Sequence, residues 1–228
     1  MSLTTLALVL GLGAVAPAPP DPSAVLKATV ATYQAARTFA DTATEVQTAD
    51  GPQPFSRTYT HRFYSEVPNR FLYDVREQGQ LVALAVSDGK TLRIDNRMTG
   101  KKVEVPAPAT FAAMHDTLVG AGMVTHGDPF AIIVLGAGRG EDTIPPGAKV
   151  EEQDLDGRPV YRMDAQDSEN ELTRIWIGRK DHLIYRFEQA ERQNQGGVPV
   201  WVRAVETHGA VKIDGQLPAD AFVAPQEP

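Results

Sequence analysis

The chain contains no cysteine. That absence excludes disulfides, thiolate zinc sites, Cys–His catalysis and the acylated cysteine of a lipoprotein. Long basic runs are missing too. No lysine or arginine stretch exceeds a pair such as Lys101-Lys102, and the formal charge is −7. A phosphate-backbone partner needs a clustered basic face, so nucleic acid is not an expected partner. Histidine pairs at metal spacing are absent as well. His61, His115, His126, His182 and His208 all lie more than five residues apart, so motifs of the HExxH kind cannot form. Strand-face or surface positions are the expected reading for them, although a site assembled from distant strands stays open. No metal and no cofactor are expected.

Motifs of catalysis and nucleotide binding fare no better. Ser87 sits in a Val-Ser-Asp-Gly turn and not in the G-x-S-x-G elbow of a hydrolase. Phe130 to Glu141 (FAIIVLGAGRGE) imitates a dinucleotide loop, but Glu141 takes the place of the third glycine. The Asp-Thr-Ile-Pro-Pro that follows cannot open a phosphate-facing helix. The acidic stretch Asp164 to Glu171 lacks the glycine and ligand order of a calcium loop and reads as a solvated hairpin tip. No catalytic residue is expected.

What is present fits one domain. The 228 residues, 42% hydrophobic and 22% charged, can bury a sizeable core and are not those of a disordered chain. Residues 1–20 are expected to be a leader. Leu3 to Ala16 is an uncharged apolar run followed by Pro17-Ala18-Pro19-Pro20, too short to span a bilayer but matching the apolar core of a secretory signal. No lysine or arginine precedes the run. Residues 21–228 are expected to form a single domain, exported and soluble.

Within that domain the hydrophobic period changes twice. Leu26, Val30, Tyr33 and Ala36 share one face at helical spacing between Pro22 and Phe39, with Asp21 and Ser23 as candidate caps. From Phe55 the period is two: Phe55, Tyr59 and Phe63 share a face, followed by Phe71, Tyr73 and Val75, then Leu81 to Val86, then Leu92 and Ile94. Gly79, Asp88-Gly89 and Thr99-Gly100 mark the turns. Phe111, Met114 and Leu118 return to helical spacing before Gly120-Ala121-Gly122, and Asp128-Pro129 opens a second short apolar helix. Strands resume at Val150 and run through Val160–Met163, Leu172–Ile177, Leu183–Phe187, Val200–Val205 and Val211–Ile213. Short links make the sheet antiparallel. About ten or eleven strands exceed what an open twisted sheet usually holds without curling. The expected fold is mainly β (α+β): a strongly curved antiparallel sheet, an incomplete β-barrel, covered by a few helices that plug an apolar hollow.

The block Pro68-Asn69-Arg70-Phe71 … Ser87-Asp88-Gly89-Lys90-Thr91-Leu92 … Val105 resembles the centre of the outer-membrane lipoprotein carrier (LolA-like) superfamily. The mid-chain helices after Pro106-Ala107-Pro108, the Asp156-Gly157 hairpin and the Trp176-Ile177 strand fall in the same order. The likeness covers about Pro22 to Pro228 and is greatest to the predicted periplasmic branch of that superfamily. It implies a half-closed barrel whose hydrophobic cavity receives acyl chains. One position departs: where the carrier has a latching arginine before the strand-opening proline, this chain has Val67, with Arg70 three residues later.

The resemblance makes Tyr59, Phe63, Phe71, Tyr73, Trp176, Phe187 and Trp201 the candidate cavity lining. Filling an ordinary core is the alternative, since aromatics supply much of any sheet's packing. Arg57 and Arg70 are candidates for lid or headgroup contacts, with Arg62 beside them; cross-strand pairing with acids such as Asp74 is their other reading. The function expected is that of a periplasmic or otherwise exported, non-enzymatic carrier or binding protein that takes up lipid or an acylated protein. A cell-envelope sensor or protein-interaction module on the same fold is the alternative. The expected partners are lipid, an acylated protein or an envelope membrane protein, and the expected state is a monomer.

Overall fold

A computed structural model describes residues 20–124 and 147–225. Residues 1–19 of the expected leader and the second mid-chain helix fall outside these residues, as does the dinucleotide-like loop. Helix α1 (Pro22–Ala35) opens the domain, with Asp21 accepting from the Ser23 amide at 3.2 Å and proline at the first helical position. Among the described residues twelve strands and one further helix follow. They are β1 (Thr38–Ala49), β2 (Phe55–Glu66), β3 (Arg70–Glu77), β4 (Gln80–Asp88), β5 (Thr91–Asn96) and β6 (Lys101–Pro106), then α2 (Phe111–Gly120), then β7 (Lys149–Leu155), β8 (Arg158–Ser168), β9 (Glu171–Gly178), β10 (Ile184–Gln195), β11 (Val198–His208) and β12 (Lys212–Ile213). They form one antiparallel sheet in the order β6-β5-β4-β3-β2-β1-β11-β10-β9-β8-β7, with β12 beside β1.

Two expectations change at the start of the domain. The first helix ends at Ala35, and Phe39 belongs to β1. β1 itself, with the sequence TFADTATEVQTA, has no apolar alternation to announce it. It is nevertheless the joint of the sheet, pairing β2 on one side and β11 on the other. The acidic stretch closes a hairpin, with β8 ending at Ser168 and β9 starting at Glu171.

The sheet curls. β4 and β10 are five steps apart in the strand order, which is about 24 Å in a flat sheet. Yet Ala83 of β4 and Phe187 of β10 line one hollow. The concave side carries the main core: Val25, Leu26 and Tyr33 of α1 and Met114 and Leu118 of α2 pack with Phe39, Phe63, Phe71, Leu92, Ile94, Met163, Ile175 and Phe187. Tyr33 also accepts from the Ile184 amide at 2.9 Å, which ties α1 to the start of β10, and its burial pushes the phenol well above the ordinary tyrosine range.

The Ser87–Leu92 turn locks three strands. Ser87 Oγ donates to the Asn69 carbonyl at 2.7 Å and accepts from the Gly89 amide, while Asp88 Oδ1 accepts from the Lys90 and Thr91 amides at 2.8 Å. Gly89 has φ +92°, where a side chain would be strained. Asn69 Nδ2 then reaches the carbonyls of Gly89 and Pro108, which aims the chain toward α2. The turn's chemistry is thus that of a structural knot.

On the convex side the C-terminal segment acts as a strap. Asp214 accepts from the Arg37 and Thr38 amides, after which Ala221 and Phe222 cover Leu72, Leu81, Leu84 and Val86. Arg70 lies over the Phe222 ring at 4.3 Å and pairs with Glu66 at 2.6 Å. Changing Arg70 to glutamine is expected to cost about 0.5–1 kcal/mol through the lost cation–π contact, read by denaturant unfolding. A loss above about 2 kcal/mol would mean that Arg70 does more than hold the strap.

Candidate functional site

Alternation along the curled sheet decides which side chains face inward. Register places Glu45 of β1 opposite Tyr59 of β2 and Glu206 of β11, and Ala43 opposite His61 and His208. Phe63 faces Tyr73 and His61 faces Val75 across the β2–β3 pair, and Phe187 of β10 faces Glu206. These side chains share the concave face. The hollow above them has a volume of about 460 Å³, within the range of small-molecule sites.

Its lining has two characters. Val75, Ala83, Phe187, Ala204, Met98 and Met123 make an apolar wall, and Glu45, Gln47, Arg57, His61, Gln189 and Glu206 make a polar floor. Tyr59 and Tyr73 stand between the two. A second hollow of about 600 Å³ adjoins the first through Gln47, Gln189 and Ala204 and runs on past Phe55, Leu172, Thr173 and Val202. Together they form a trough along β1, β11 and β10.

The wall near Met123 is set by Asn96. This side chain is fully buried and donates to the carbonyls of Ala121 and Gly122 at 3.1 and 2.9 Å, while its oxygen accepts from the amides of Met98 and Thr99. It therefore joins the β5–β6 turn to the end of α2. Thr110 caps the other end by accepting from the Ala113 amide.

The floor is a network. His61 Nε2 lies 3.0 Å from Glu45 Oε2, and its Nδ1 lies 2.9 Å from Tyr73 Oη and 3.8 Å from Glu206 Oε1. The carboxylate beside Nε2 holds the proton of the neutral ring on that nitrogen, so Nδ1 accepts from the Tyr73 hydroxyl. Burial disfavours the imidazolium, but Glu45 and Glu206 outweigh it and hold the His61 pKa above its ordinary value. Burial likewise opposes ionisation of Glu45. Hydrogen bonds from His61 and Gln47 prevail, and its pKa is lowered. Deeper along β1, His208 Nδ1 meets Asp41 Oδ2 at 2.5 Å, both residues being buried.

The aromatic residues singled out from sequence separate into three groups. Tyr59, Tyr73 and Phe187 line the hollow. Phe63 and Phe71 lie on the same face but pack edge-to-face at 5.2 Å within the core that includes α1. Trp176 and Trp201 point to the convex side: Trp176 packs with Val160 and Tyr185 under Arg186, and Trp201 is 44% exposed. Arg57 stands among the lining residues, whereas Arg70 is on the strap side. Arg62 pairs with buried Asp74 at 2.8 Å, and Arg76 holds the same carboxylate. Glu45, Glu206 and Asn96 escaped sequence reasoning, and His61 was read as a strand-face or surface residue. Each looks like an ordinary strand-face residue until the register brings strands from the two ends of the chain together. Among the described residues no group of three or more His, Asp or Glu side chains is arranged to hold a metal ion.

The architecture is an open antiparallel half-barrel with helices on its concave side, as the sequence resemblance implied. Solved structures similar to it across most of the chain include a LolA superfamily protein from Nitrosomonas europaea (10% identity, 88% of this chain and 96% of that one, TM-score 0.34). A putative outer membrane lipoprotein-sorting protein domain from Vibrio parahaemolyticus is another (7% identity, 88% and 95%, TM-score 0.36). A third is in the MucA/MucB complex of Pseudomonas aeruginosa (14% identity, 89% and 60%, TM-score 0.45). These likenesses concern the fold alone. No family model matches the chain, and no curated protein matches it. No helix among the described residues is long and apolar enough to cross a membrane.

Proposed function

We propose that the protein is a non-enzymatic binding protein that takes an acyl chain into the concave trough. The observation that carries this reading is the two-sided lining of the hollow, with an aromatic and methionine wall facing a polar floor. An amphiphile matches that pattern: its chain lies against Phe187, Val75 and Met123, and its head group meets the floor. Each methylene removed from water contributes about 0.8 kcal/mol. Loosening the end of α2 admits the ligand, because Gly122 and Met123 form part of the wall. In this reading the protein works as an exported, soluble monomer with residues 1–20 as its leader, and lipid or an acylated protein reaches it from an envelope membrane protein.

The test is native mass spectrometry on protein purified from its own envelope, joined to titration with a fluorescent fatty acid. Bound lipid and saturable one-to-one uptake are expected. No lipid and no uptake would overturn the proposal. If a membrane-anchored protein co-purified in stoichiometric amount without lipid, the fold would serve as an interaction module instead.

A further inference from the structure

His61 is over nine-tenths buried, yet it lines the hollow together with Glu45 and Glu206, which are 15% and 17% exposed. The charged and titratable groups facing it come from four strands. β1 brings Glu45 and, deeper, Asp41; β2 brings Tyr59; β3 brings Tyr73; β11 brings Glu206 and His208; at the exposed end of the hollow Arg57 of β2 faces Tyr59 and Glu77 of β3. The lining residues from β10 and from the end of α2 (Phe187, Gln189, Met123, Val124) carry no charge. Asp41 and His208 pair with one another. The floor around His61 therefore has two carboxylates and a ring that is either neutral or positive, with Arg57 and Glu77 offsetting one another farther along.

We propose that His61 sets the head-group selectivity of the trough: with its ring neutral the floor accepts a cationic head group such as a quaternary ammonium, and protonation of the ring expels it. This rests on the trough being the ligand site. The physical reason is competition. A cation between Glu45 and Glu206, in the hollow that Tyr59 and Tyr73 also line, occupies the field that otherwise holds the second imidazole proton. When the ring gains that proton at Nδ1, the positive charge sits 3.8 Å from Glu206 and the floor's net negative charge is reduced by one. The upward shift in His61's pKa brings that change nearer to neutral pH. Binding of a cation and of the proton are thus mutually exclusive, so affinity for the cation rises with pH until the free ring is neutral, and a proton is released on binding only where the free ring carries it.

The experiment compares two amphiphiles of equal chain length, dodecyltrimethylammonium and dodecyl maltoside. Both are kept below their micelle-forming concentrations and titrated calorimetrically at about pH 5 and about pH 8, on either side of histidine titration. The expected result is that the maltoside binds equally at both, while the ammonium binds about tenfold or more weakly at the lower pH. His61→Gln, which keeps hydrogen bonding but cannot titrate, is expected to make the ammonium affinity the same at the two pH values. Glu206→Gln is expected to weaken the ammonium alone, and melting curves confirm that both variants are folded. Equal ammonium affinity at the two pH values, or pH dependence that survives His61→Gln, overturns the role of His61 while maltoside binding leaves the trough standing. Failure of both amphiphiles to bind overturns the trough as ligand site as well.

Discussion

Changing Phe71 to alanine is expected to remove about 3–5 kcal/mol of stability, the largest loss anticipated from a single truncation in this protein. Phe71 is 1% exposed and packs edge-to-face with Phe63, which in turn meets Phe39 and, through it, Tyr33 of α1. The ring thus sits in an aromatic row that joins three strands to the helix covering them. Truncation empties space that β3 and β4 cannot close without giving up the Ser87–Asn69 lock. For a domain of this size the midpoint of thermal unfolding should fall by roughly 10 °C. Trp201→Ala is the matched control. Its ring is 44% exposed on the convex side, and its loss should be within about 0.5 kcal/mol. Equal effects from the two would mean that Phe71 is not packed between the sheet and α1.

Asn96→Ala should be nearly as costly, about 2–4 kcal/mol, because it strands several buried backbone groups at once. Two carbonyls at the end of α2 lose their donor, and the amides of Met98 and Thr99 lose their acceptor. Here the effect reaches function as well. Met98, Gly122 and Met123 line the hollow, so freeing them should weaken uptake of a fluorescent fatty acid by about tenfold, beyond any loss from unfolding. Titration at a temperature where the variant remains folded separates the two effects. Unchanged affinity in a destabilised protein would show that the end of α2 does not shape the trough.

Much of this fold was legible along the chain because apolar residues that face a core must recur at the period of the element carrying them. Leu26, Val30 and Tyr33 marked α1, and Phe111, Met114 and Leu118 marked α2. The alternations from Phe55 onward marked the strands around the hairpin turns at Gly79, Asp88-Gly89 and Asp156-Gly157. β1 was not legible, for the same reason. Its inward side chains are Phe39, Asp41, Ala43, Glu45, Gln47 and Ala49, half of them polar, and Asp41 and Glu45 find their partners in His208 of β11 and His61 of β2. The strand that anchors the polar floor is therefore the one that hydrophobic period conceals.

Alternation also left the aromatics unsorted. It assigns Trp176 and Trp201 to a face of their own strands, but whether that face is concave depends on how the whole sheet curls. The curl is a sum over strands far apart in sequence, and it turned both tryptophans outward while leaving Tyr59, Tyr73 and Phe187 in the trough.

By itself, then, the sequence determined the class: an antiparallel sheet too broad to stay flat, helices to cover it, and a Ser-Asp-Gly-Lys turn to knot its middle. These follow from short-range periodicity and turn chemistry, which are local. Only the tertiary structure decided that the hollow has an acidic floor and that His61 lies between two carboxylates. It also placed Asn96 as the link between a turn and a helix end. Those relations join residues up to about 160 positions apart, and no local pattern constrains them, because pairing across the β1–β11 joint is settled by register and curvature together.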